Sequence, residues 1–113
     1  MANKKILIVD DDDELLGLLE RKLVQEGYDV VKITSGKDAI EKTKKYLPDI
    51  ILMDIEMPEL NGIEATRLIL DEFSVPIIII TSHDDHETIK KAGYAGVASF
   101  LIKPPQKDEI DRA

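Results

Sequence analysis

Ile50-Ile51-Leu52-Met53 is an apolar run with no polar alternation, and it stops at Asp54 just before Met57-Pro58. A half-exposed strand alternates apolar and polar side chains, so an unbroken run reads as a strand buried on both faces. Such strands belong mainly to parallel sheets covered by helices. They cannot hide a charge along their length, but they can present one at the carboxyl end, where open α/β sheets place their ligands. Taken alone, the plainer reading of Asp54, a polar terminator before a turn, has the stronger claim, because acidic residues are usually exposed and structural. The rest of the chain decides between the two.

The same pattern recurs. Ile6 to Val9 runs into Asp10-Asp11-Asp12-Asp13-Glu14, Asp29 to Ile33 reads as a second strand, Val75 to Ile80 ends at Thr81-Ser82, and Ala98 to Ile102 ends at Lys103-Pro104-Pro105. Helical spacing fills the intervals. Leu15, Leu16, Leu19 and Leu23 mark a first helix capped by Asp12 or Asp13 and stopped near Gly27. Thr34-Ser35-Gly36 opens a second helix with Ala39, Ile40, Thr43 and Leu47, which Pro48-Asp49 ends. Asn61-Gly62 precedes a third with Ile63, Thr66 and Ile69; a polar fourth, from about Asp84 to Ala95, turns Ile89 and Ala92 inward. Strand and helix alternate throughout, which implies right-handed crossovers and a doubly wound parallel sheet with helices on both faces. A length of 113 residues suits one domain, residues 1–113, with the flavodoxin-like strand order 2-1-3-4-5.

Composition narrows the partners. No cysteine is present, which excludes disulfide and thiolate chemistry. A net charge of −8 repels phosphate backbones and anionic membranes, so direct binding of nucleic acid or membrane by this domain is not expected. The apolar run near the amino terminus is too short for a signal peptide or a span, and a cytoplasmic location is expected. Amides are few (Asn3, Gln25, Asn61 and Gln106) while Lys and Glu are plentiful, which resembles the drift of heat-adapted proteins.

In the expected topology, strands one, three, four and five bring Asp10 and Asp11, Asp54, Thr81 and Lys103 to one rim. Clustered carboxylates repel one another unless a cation neutralises them, and an oxygen-only donor set favours a hard ion such as Mg²⁺. Asp11, Asp54 and Asp10 are the expected carboxylate ligands, the last through water in one version, with the Glu56 backbone carbonyl completing the shell. A carboxylate beside Mg²⁺ and a lysine can attack a phosphoryl group. Thr81 could then turn its hydroxyl toward the acyl phosphate, and Phe100 could swing into the space it leaves. Neither a G-x-S-x-G elbow, a G-x-G-x-x-G turn nor a P-loop occurs at the required place. His83 and His86 read as exposed residues of a polar stretch.

The blocks ILIVDD (Ile6 to Asp11), MDIEMPELNG (Met53 to Gly62), ITS (Ile80 to Ser82) and FLIKP (Phe100 to Pro104) stand in the order and spacing of one family. The chain resembles a receiver domain of the two-component response regulators over nearly its whole length. The resemblance implies that Asp54 is the phosphoacceptor, Asp10 and Asp11 the acidic pair for Mg²⁺, Thr81 and Phe100 the switch residues and Lys103 the phosphate-contacting lysine. It also implies a cis peptide before Pro104, and it makes Glu56 and His83 the positions that tune phosphoryl lifetime. A sensor histidine kinase or phosphotransfer protein would be the donor, and a downstream protein or a missing effector domain the output. Two departures stand out. Phe100 lacks the hydroxyl of the tyrosine often found there. Gln106 to Ala113 allow about two helical turns, with Ile110 as the apolar anchor, where the family has a full fifth helix. A truncated or short last helix leaves apolar surface less covered, so lower stability or a homodimer is expected. An aspartyl phosphatase would also use an acid at a strand end with Mg²⁺, but it resembles this chain less, because Glu56-Met57 stand where an acid-base Asp and a Thr belong. A degenerate receiver used only for binding is disfavoured by the complete acidic set.

Overall fold

The computed structural model describes residues 3–57, 59–81 and 86–102. Five strands alternate with four helices: β1 (Lys5–Val9), α1 (Asp13–Gln25), β2 (Asp29–Ile33), α2 (Gly36–Tyr46), β3 (Ile50–Asp54), α3 (Gly62–Glu72), β4 (Ile77–Thr81), α4 (His86–Ala95) and β5 (Ser99–Ile102). The strands form one parallel sheet in the order β2-β1-β3-β4-β5. This is the expected doubly wound, flavodoxin-like arrangement.

Alternate residues of the central strands feed two cores. Leu7, Val9, Ile51, Met53, Ile77 and Ile79 pack on one face with Ala39, Ala65, Ile69 and Ala92 from α2, α3 and α4. Ile6 and Ile8 turn to the other face, where Leu16 of α1 is buried and Leu19, Leu23 and Leu52 pack around it. The unbroken apolar runs are therefore a direct consequence of helices on both sides. Among the described residues, no helix is long and apolar enough to cross a membrane.

The helix starts follow local chemistry. Asp12, Ser35 and Asn61 each adopt extended backbone and accept a hydrogen bond from an otherwise unpaired amide of the first turn. At the far end of the sheet, the Lys5 amide donates to Asp49 Oδ2 at 2.7 Å and Lys5 Nζ donates to the Tyr46 carbonyl at 3.3 Å. These bonds tie β1 to the α2–β3 connection, leaving the opposite, carboxyl edge of the sheet for the site.

Candidate functional site at the carboxyl edge of the sheet

Strand register sets the site. Val9 pairs with Met53, so Asp10, one residue on, comes level with Asp54 on the neighbouring strand. Asp54 in turn pairs with Ile80, which places Thr81 one step further along the next strand. Asp10, Asp54 and Thr81 are 2%, 3% and 2% exposed, whereas Asp11 is open to solvent. Carboxylate oxygens of Asp10, Asp11 and Asp54 all lie within 4.8 Å of one another. Three acids this close, two of them buried, are stable together when a cation or other donors offset their charge.

The two loops that carry these acids are fixed by residues that make no claim to chemistry themselves. Asp12 donates its backbone N–H to Asp10 Oδ1 at 2.9 Å, while its own carboxylate accepts from the amides of Glu14 and Leu15 at 3.0 and 3.3 Å. One residue thus starts α1 and orients Asp10. After β3, the Gly62 amide donates to the Ile55 carbonyl at 2.9 Å and folds the loop back on itself. A Cβ at position 62 would overlap the Asp54 carbonyl and crowd Met53 Cγ, so only glycine fits there. Glu59, in the same loop, holds a left-handed φ of 69°, a conformation that costs a side-chain-bearing residue energy.

Asp10, Asp11 and Asp54, read from separate stretches of sequence, are therefore brought together, with Thr81 at the adjoining strand end. Glu56 follows two residues after Asp54 and is exposed, and Phe100 sits on the edge strand β5 at 38% exposure. Lys103, the peptide before Pro104, His83 and the expected short fifth helix lie outside the described residues. Sequence reasoning assigned Asp12 only to capping and gave Gly62 no role beyond closing a loop. A glycine directly after a helix-capping asparagine was the available signal for the second.

A doubly wound parallel sheet whose rim gathers buried acids beside a buried threonine has the make-up of a signalling phosphoacceptor domain. The family model described as the response regulator receiver domain matches residues 6–113. The chemotaxis protein CheY of Thermotoga maritima is 36% identical over 112 residues, covering 97% of this chain and 93% of CheY. PhoP of Bacillus subtilis, the alkaline phosphatase synthesis transcriptional regulatory protein, is 34% identical over 111 residues. That match covers 96% of this chain but 46% of PhoP, so the chain spans less than half of that relative. Among solved structures, a chain of the CheX–CheY–BeF3–Mg²⁺ complex from Borrelia burgdorferi superposes with a TM-score of 0.84 at 25% identity, covering 96% of this chain and 84% of that one. This chain belongs to the response regulator receiver domain family, the phosphoacceptors of two-component signal transduction. Residues 6–113 form a signalling phosphoacceptor domain.

Proposed function

We propose that residues 1–113 act as one receiver domain in which Asp54 takes a phosphoryl group from a phosphohistidine of a sensor kinase or phosphotransfer protein. A carboxylate oxygen of Asp54 attacks phosphorus, the P–N bond breaks, and its electron pair returns to the imidazole, which takes up a proton. The observation that carries this reading is the convergence of the Asp10, Asp11 and Asp54 oxygens within 4.8 Å at the sheet's carboxyl edge. Asp54 is the member of that set whose strand is central, between β1 and β4, so both flanking strand ends can serve the transferred group.

The donor set is all oxygen and fits a hard cation, and Mg²⁺ is the proposed one, held by Asp10, Asp11, Asp54 and the Glu56 backbone carbonyl. When bound, it supplies positive charge to offset the phosphoryl oxygens. Support comes from the Borrelia burgdorferi complex, which contains CheX, CheY, BeF3 and Mg²⁺. Lys103 is proposed to neutralise a further phosphoryl oxygen. The Thr81 hydroxyl turns toward the acyl phosphate, and Phe100 moves inward to fill the space, altering the surface around α4 and β5 that a downstream protein or an effector region reads. Slow hydrolysis of the acyl phosphate resets the switch. A cytoplasmic location and a homodimer that covers apolar surface near the last strand belong to the same proposal.

The test is incubation with Mg²⁺ and a small acyl-phosphate donor, followed by intact-mass measurement. The wild type is expected to gain one phosphoryl group, and Asp54→Asn to gain none at that site. Equal labelling of the two would move the acceptor elsewhere.

A further inference from the structure

The loop that holds Asp54 contains the dipeptide Asn61-Gly62, and both residues are set by the fold. Gly62 is required because any side chain there would strike the Asp54 carbonyl. Asn61 caps α3, its Oδ1 accepting from the Glu64 amide at 3.0 Å. The pairing has a chemical consequence. An unhindered glycine nitrogen can attack the preceding asparagine's side-chain carbonyl carbon, closing a five-membered succinimide and expelling ammonia. Water then opens the ring at either carbonyl, leaving aspartate or, with one extra methylene in the main chain, isoaspartate. Of the chain's four amide residues, Asn3, Gln25, Asn61 and Gln106, Asn61 alone precedes a glycine.

Native geometry opposes this reaction in three ways. Ring closure needs the Gly62 nitrogen to approach the Asn61 side chain, which tetrahedral geometry places at ψ near about −120°. Asn61 instead holds ψ at 164°. The Gly62 N–H, which must be deprotonated, is donated to the Ile55 carbonyl at 2.9 Å. The Asn61 side chain would have to leave its cap to react.

We propose that Asn61 is a latent deamidation site, held closed by the β3–α3 loop and reacting when that loop opens. The two products differ in effect. Aspartate is as good a helix cap as asparagine and leaves the loop intact. Isoaspartate lengthens the main chain immediately before Gly62, which packs too closely on the Asp54 carbonyl to admit even a Cβ, and so displaces Asp54 from the acidic pocket.

The test incubates the full chain at mildly alkaline pH, with and without a denaturing concentration of urea, and maps Asn61 by peptide mass spectrometry with fragmentation that distinguishes the two products. Conversion at Asn61 is expected to be at least about tenfold slower in the native protein, since the reaction then samples only the open population. Asn61→Ser, which keeps a capping oxygen, should show none of this conversion and retain the fold. Native conversion as fast as that in urea, or no conversion at Asn61 in urea, would overturn the proposal. Acyl-phosphate labelling of separated fractions tests the consequence: the aspartyl form should label like untreated protein and the isoaspartyl form at least about tenfold less. Equal labelling of both would refute the displacement of Asp54. The mass mapping does not depend on phosphorylation, so failure of untreated protein to label would count against the receiver mechanism alone.

Discussion

Thr66 is a buried hydroxyl with no visible use. It is fully buried in α3, and among the described residues its Oγ1 has no hydrogen-bond partner. A hydroxyl removed from water without a replacement bond costs about 1–3 kcal/mol, whereas valine has nearly the same shape and no polar atom to satisfy. Thr66→Val is therefore expected to raise stability by about 1 kcal/mol, read as a higher urea midpoint at unchanged slope. A lower midpoint would mean that the hydroxyl is bonded in solution. Thr81 is equally buried but ends a strand beside Asp54. Placement relative to the carboxyl edge, which threonine's identity does not reveal, separates the two. Asp54 shows the same limit: its strand end was legible from four apolar residues, but the 4.8 Å cluster required knowing which strand lies next to which.

At the scale of the element, the boundaries that sequence misplaced have backbone causes. Val75 and Pro76 continue the apolar run, yet β4 begins at Ile77. Proline has no N–H to give the ladder, and Pro76 enters it only as an acceptor, its carbonyl taking the Ile51 amide at 3.0 Å. Left-handed Leu47 and Glu59 were not legible at all, because neither residue type signals a positive φ. Gly93 lies inside α4, where glycine is a poor helix former. Among the described residues, a Cβ on exposed Gly93 would meet nothing within 4 Å, so no close packing there explains it. Gly93→Ala should stabilise the protein by up to about 1 kcal/mol and slow amide exchange along α4; unchanged exchange would show that this residue does not limit the helix. The end of α2 gives a prediction in pH. Burial first, then the charges of Asp29 and Asp49, raise the Tyr46 pKa, and Lys5 Nζ lies 5.4 Å from the ring centroid. A raised value means the fold favours the neutral phenol. Its contribution is complete below the unfolded value near 10 and is lost as pH rises through the higher folded value. Tyr46→Phe should accordingly lose less stability than the wild type when urea unfolding is compared at about pH 9 and pH 11; parallel losses would show that the phenol does not contribute.

At the scale of the whole molecule, the net charge of −8 and the pocket act together. Folding gathers Asp10 and Asp11 from one end of the chain and Asp54 from its middle, so the native state concentrates repulsion that the unfolded chain disperses. The same gathering creates a carboxylate cluster able to hold a cation, which the unfolded chain lacks. Whatever binds only the native state stabilises it by mass action, reaching about 2.7 kcal/mol when the ion is at a hundred times its dissociation constant. The melting temperature is therefore expected to rise steadily with the logarithm of Mg²⁺ concentration. Matched ionic strength from NaCl should do less, since screening weakens repulsion without occupying a site. Removing one acid separates the two effects: Asp11→Asn should melt no lower than wild type without Mg²⁺, because a repulsion is gone, and should gain much less when Mg²⁺ is added. An equal Mg²⁺-dependent rise in wild type and Asp11→Asn would place the ion elsewhere on this acidic surface and remove the cation from the proposed mechanism.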